Sequence, residues 1–235
     1  MRYYLCALLS IFLLASCNHK DSNANLHIAG NVKGLKKGVL YIKKIVDTSF
    51  VSIDTIEIDG DSHFVSELQI DSPEMYYLFV DGVATKSMDN SLSFFAEPGN
   101  INIETSLNHF SEAKINGSRN QVKYEEFRKV ISRFNDQNLS LTEQKFDAFK
   151  DKNIMAIDSI ELRQNKNLRR RYLYVTNFAL NNKDYEVSPY VALTEIPDIN
   201  LKYMDTIQKS MTPKVAKSKY GKTLIQFYKD RKKQE

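Results

Sequence analysis

Cysteine is nearly absent from this 235-residue chain, which holds only Cys6 and Cys17. Cys6 lies in a short apolar run, Leu5 to Ala15, behind a basic start at Arg2, and small residues follow at Ala15 and Ser16. That order is the pattern of a secretory signal. The run is too short to cross a bilayer as a lasting helix, which takes about 20 apolar residues, and nothing after residue 17 is longer. Removal of such a signal takes Cys6 with it and leaves Cys17 as the only other cysteine of the chain. The expectation is therefore a mature chain with no disulfide, no redox thiol pair and no zinc-cysteine site.

Tryptophan is missing altogether, and glycine and proline are scarce at eight and five. No serine sits in a Gly-x-Ser-x-Gly elbow, and no glycine-rich loop is present to cradle a phosphate. Nor does one sign of charge dominate: 33 basic against 29 acidic residues give +4, or +3 once Arg2 is removed. Only Arg169-Arg170-Arg171 and Lys229 to Lys233 form basic clusters, which read as solvated helix faces, so no nucleic-acid partner is expected. His19, His27, His63 and His109 lack metal-ligand spacing, and Asp59-Gly60-Asp61 lacks the remaining ligands of a calcium loop. Glu97 has no second carboxylate near it in sequence for acid–base work. No catalytic residue, metal site or cofactor is expected.

What is present divides by periodicity. Residues 26–117 read as seven or eight short strands. Leu26 to Ala29 and Val39 to Lys43 alternate, and Val51 to Ile58 keeps a period of two with one slip that a bulge would absorb. Asp59-Gly60 between Ile58 and Phe64 signals a hairpin, Met75 to Val80 is almost continuously apolar, and Glu97-Pro98-Gly99-Asn100 is a turn. An antiparallel β-sandwich is the expectation.

From Ser118 the period becomes helical through residue 235. Ser118 to Gln121 fits a capping box, followed by Tyr124, Phe127, Val130, Ile131 and Phe134 at helical spacing. Ser140 to Glu143 reads as a second box, opening a helix with Phe146, Phe149, Ile157 and Ile160 on one stripe. Tyr172, Val175 and Ala179 continue the pattern, and Ser188-Pro189 and Thr212-Pro213 each place a capping residue before a proline. The fold class is α+β.

Leu14-Ala15-Ser16-Cys17 resembles the lipobox of bacterial lipoproteins. The resemblance implies signal cleavage between Ser16 and Cys17 and lipidation of Cys17, with residues 17–25 as a lipid-anchored tether. Asn18 after the cysteine implies the outer membrane by similarity to the enterobacterial sorting rule. Lys20-Asp21 is similar to surface-export signals of Bacteroidetes lipoproteins, which leaves the periplasmic or surface face open.

A second resemblance spans about residues 26–120. Ile28-Ala29-Gly30-Asn31-Val32, Val39-Leu40-Tyr41-Ile42, Asp54-Thr55-Ile56 with Asp59-Gly60 and Phe64, Phe95 to Gly99 and Asn116-Gly117-Ser118 together resemble domain of unknown function 4369. In Bacteroidetes lipoproteins that domain stands before a thioredoxin-like or alkyl hydroperoxide reductase-like domain. Ser188 to Leu193 and Ser218 to Lys222 are similar to the segment that joins the two. The sequence runs to Glu235 without a Cys-x-x-Cys, so disulfide exchange by its own side chains is not expected.

The function expected is a lipid-anchored cell-envelope protein, non-catalytic, acting by binding or scaffolding with a protein or small-molecule partner. Two alternatives stand beside it. One is an accessory to a separate thioredoxin-like oxidoreductase in the periplasm, implied by the resemblance. The other is an envelope glycan or peptide hydrolase whose carboxylates meet only in the fold.

Overall fold

The computed structural model describes residues 23–81 and 90–234, so Ser16, Cys17 and His19 lie outside the described residues. Eight strands come first among them: β1 (Leu26–Lys33), β2 (Lys37–Val46), β3 (Ser49–Asp59), β4 (His63–Leu68), β5 (Glu74–Asp81), β6 (Ser91–Ala96), β7 (Gly99–Ser106) and β8 (Lys114–Asn116). They form two four-stranded sheets, ordered β4-β1-β7-β8 and β3-β2-β5-β6. All pairings are antiparallel except that of β1 with β7, which runs parallel with Leu26 opposite Gly99. Leu26, Ile28, Leu40, Ile42, Leu78, Phe94 and Ile103 fill the space between the sheets. The alternating side chains of each strand send one face there.

The slip in Val51 to Ile58 is a bulge. Ile42 pairs with Asp54 but Lys43 pairs with Ser52, which leaves Ile53 as the extra residue. The hairpin expected at Asp59-Gly60 does not form. β3 pairs with β2, whereas β4 pairs with β1 in the other sheet, so this turn carries the chain between layers. Gly60, at φ +92°, supplies the conformation the turn requires. An Asp-Gly turn specifies the reversal but not which strand answers it.

Six helices follow: α1 (Arg119–Lys150), α2 (Ile154–Asn181), α3 (Val187–Glu195), α4 (Leu201–Ser210), α5 (Pro213–Lys217) and α6 (Lys219–Gln234). Ser118 caps α1 by accepting from the Gln121 amide at 3.0 Å. Ser140 to Glu143 lies inside α1 and opens nothing. The break comes at residues 151–153, where Lys152 takes φ +52° and the Asn153 side chain accepts from the Ala156 amide at 3.0 Å. Phe146 and Phe149 therefore share no stripe with Ile160; they are exposed on α1 while Ile160 is buried on α2. Thr212-Pro213 stands at the start of α5 as expected. Ser188 is instead already inside α3, its hydroxyl donating to the Ala179 carbonyl at 2.8 Å.

The two regions share a core. Met75 of β5 and Phe95 of β6 point away from the sandwich and are buried with Phe127, Val175, Val191, Met204 and Leu224 of the helices. This explains the unbroken apolar run of β5, which is covered on both faces. Burying Phe95 completely is worth about 2–3 kcal/mol.

Candidate functional site

The sandwich and the helices meet along a cleft of about 460 Å³, a size that suits a small ligand. One wall is the β4–β5 connection, Asp71-Ser72-Pro73, with the β6–β7 turn at Glu97-Pro98. The other is formed by Arg119 and Asn120 of α1, Asp184 to Glu186, and Lys214, Lys217 and Ser218.

Its floor is a network around Asn120, which is 3% exposed. The Asn120 amide nitrogen donates to Glu97 Oε2 at 2.7 Å and to Glu186 Oε2 at 2.9 Å. Its carbonyl oxygen accepts from the Val187 amide at 2.9 Å. Both side-chain hydrogens and the oxygen are thus engaged, and these partners fix which end of the amide is which. Glu97 also accepts from the backbone amides of Arg119 at 2.6 Å and Asn120 at 3.2 Å. These are free donors at the first turn of α1, where the helix end favours an anion. Glu186, 2% exposed, keeps its other oxygen 3.9 Å from Lys214 Nζ. The Arg119 guanidinium lies over the Tyr185 ring and donates to its hydroxyl, which raises its pKa above the ordinary arginine value.

Glu97 therefore does meet a second carboxylate, Glu186, through one shared nitrogen. Sequence spacing did not show this, because the partner comes from the α2–α3 connection. Both carboxylates are held as acceptors by donors directed at them, which is the chemistry of a clamp or a binding floor. Gly117 stands behind this corner at φ +97°, and a Cβ there would lie 1.9 Å from the Asn100 carbonyl oxygen. Only glycine lets the chain turn from β8 into α1 at that point.

A seam of aromatic rings continues from the cleft between β5, β6 and the helices. Phe95 meets Tyr190 edge-on at 5.4 Å, and Tyr190 contacts Tyr124 at 5.7 Å and Tyr220 at 5.0 Å. Two open strand amides are sealed here. Met75 N–H donates to the Tyr220 hydroxyl and Phe95 N–H to the Gln121 side chain, each at 2.9 Å. Gln121 thus serves β6 rather than completing a reciprocal box with Ser118. Burial pushes the Tyr77, Tyr124, Tyr190 and Tyr220 hydroxyls up, so each is held neutral above the ordinary tyrosine value.

The described histidines lie apart from the cleft. His27 faces Glu67 at 3.5 Å, His63 bonds Asp61 at 2.7 Å and His109 faces Glu112 at 3.4 Å. Among the described residues no group of three or more His, Cys, Asp or Glu is placed to hold a metal ion. No described helix is long and apolar enough to cross a membrane.

Comparison with known proteins bears on the sandwich. Residues 26–124 match the family model for a domain of unknown function, DUF4369. That segment is a DUF4369 domain. The match extends past β8 through Ser118 and Gln121, the two residues that cap α1 and seal β6. Comparison with curated proteins found no match. Among solved structures, a crystal structure of transthyretin from Sparus aurata is similar at 17% identity and a TM-score of 0.29. The likeness covers 40% of this chain and 99% of that one. At that score it carries no argument about fold or function. In this chain the DUF4369 domain supplies Glu97 and Asn120 to the cleft, and the helices beyond it supply Glu186 and Lys214.

Proposed function

We propose that this chain is a lipid-anchored protein of the cell envelope, held in the outer membrane through Cys17, that acts by binding a partner rather than by catalysis. The observation that carries the anchor is Leu14-Ala15-Ser16-Cys17 followed at once by the polar stretch Asn18 to Asn25. The place where that stretch joins the fold supports a role for the cleft. Asn25 accepts from the Gly99 amide at 2.8 Å through its carbonyl, and its side chain clasps the Ile70 backbone at 2.8 and 2.9 Å. Ile70 and Gly99 adjoin Asp71 and Pro98, which line the cleft. The tether thus leads to the cleft mouth. Eight residues span at most about 29 Å, so a lipid on Cys17 keeps the cleft near the bilayer surface.

The pairing of Glu97 with Glu186 is the one observation that favours a hydrolase. Against it stands the engagement of both carboxylates with directed donors, together with the near-complete burial of Glu186. Binding is the reading that uses these groups as they are placed.

Metabolic labelling with a fatty-acid probe tests the anchor. The wild-type chain incorporates label and sediments with outer membranes, whereas Cys17→Ala takes up none and stays with the uncleaved precursor. A Cys17→Ala chain that is processed and membrane-bound like the wild type overturns the reading.

A further inference from the structure

The outer half of the α1–α2 hairpin is poorly covered. Past Phe134 and Asn167 its buried apolar residues are Leu141, Ala148 and Ile160, a cluster separate from the main helical core. Yet Leu139 is 60% exposed, Phe146 61%, Phe149 57% and Ile154 70%. At about 100° per residue, Leu139, Phe146 and Phe149 fall on one side of α1, roughly 80–160° round from inward-facing Leu141. Ile154 lies about 120° round from Ile160 on α2 in the same sense, and in antiparallel helices those two sides form one face. The four side chains expose on the order of 400 Å² per copy, about half of the ~800 Å² that a stable interface takes from each partner.

Charge indicates what covers this face. Residues 143–161 hold Glu143, Asp147, Asp151, Asp158 and Glu161 against Lys145, Lys150 and Lys152, whereas residues 163–170 hold Arg163, Lys166, Arg169 and Arg170 with no acid, and Arg171 beyond them is paired with Glu195. The hairpin is acidic at its tip and basic in its middle. A second hairpin running antiparallel brings each tip onto the other's middle, which closes with two-fold symmetry. Asp158 and Arg169 are both exposed on α2 and lie about 20° apart around its axis, eleven residues or three turns along.

We infer that this face is a homodimer interface, in which two α1–α2 hairpins pack antiparallel as a four-helix bundle. Asp158 of one copy then lies against Arg169 of the other, on both sides of the axis. The occupant is another copy of this chain because the hairpin's own charge pattern is its complement. The inference stands independently of the lipid anchor.

Sedimentation equilibrium of the full chain in density-matched detergent tests it. A protein mass of twice the chain is expected at tens of micromolar, falling to one chain in Phe146→Lys/Ile154→Lys. Leu139→Gln, a milder change, should weaken association about tenfold with the circular dichroism unchanged. Asp158→Arg and Arg169→Asp should each weaken it by a similar factor, and the two together should restore it. A wild-type chain that stays monomeric at 100 µM overturns the inference, as does a dimer indifferent to Leu139→Gln and to the charge swaps. A monomer that instead inserts Phe146 and Phe149 into phosphatidylcholine vesicles overturns it in favour of a lipid contact.

Discussion

Asn120 ties three stretches of chain together through one carboxamide, and its loss should be felt well beyond its size. Asn120→Leu leaves the Glu186 carboxylate and the Val187 amide buried with no replacement donor or acceptor at that point. Breaking such a network costs about 3 kcal/mol. For a chain of this length that lowers the melting temperature by about 6–12 °C, measured by circular dichroism. A loss below about 1 kcal/mol would mean that the floor rearranges around the gap. Part of this corner was legible in sequence. Glu97-Pro98-Gly99 reads as a turn, and Ser118 reads as a cap because serine three residues before Gln121 can satisfy a free helix amide. Asn120 and Glu186 carry no such mark. Their roles depend on which loop the α2–α3 connection meets, and local spacing does not encode that.

Elements were legible where a local rule acts and misread where packing decides. The bulge at Ile53 follows from one slip in a period of two. Thr212-Pro213 marks a helix start because the missing proline N–H costs nothing there. Ser140 to Glu143 has the same local form as the box at Ser118 to Gln121, but α1 continues through it because Leu141 and Ala148 bury a face against Ile160 of α2. This small cluster gives the outer hairpin little local stability. Leu141→Ala should therefore speed amide exchange across residues 138–160 by roughly tenfold or more. Protection around Phe127 and Val175, in the main core, should stay within a factor of two. Uniform acceleration along both helices would show that the hairpin opens as one unit.

Across the whole molecule the sandwich and helices are joined by tyrosines whose protons are retained in the folded state. Unfolded tyrosines ionise near pH 10, and burial raises Tyr77, Tyr124, Tyr190 and Tyr220 above that value. Their contribution to stability is complete below pH 10. It is lost as pH rises through 10 toward the folded values, because the unfolded state then binds fewer protons than the native one. The urea midpoint should fall steadily between pH 10 and 12, with tyrosinate absorbance at 295 nm appearing together with loss of helix. Tyr190→Phe should flatten that fall. Tyrosinate forming in the seam well before unfolding would contradict it.

By itself the sequence determined a strand-rich first half, a helical second half, their junction near Ser118 and the family of the first. Those features rest on periodicity, capping and turn chemistry, which act over a few residues. Only the tertiary structure decided that Asp59-Gly60 crosses between sheets and that β1 and β7 run parallel. It alone brought Glu97 to Glu186 over Asn120 and left large apolar side chains of the α1–α2 hairpin uncovered. Each of these depends on which distant surfaces meet, a choice made by shape and burial across the whole chain.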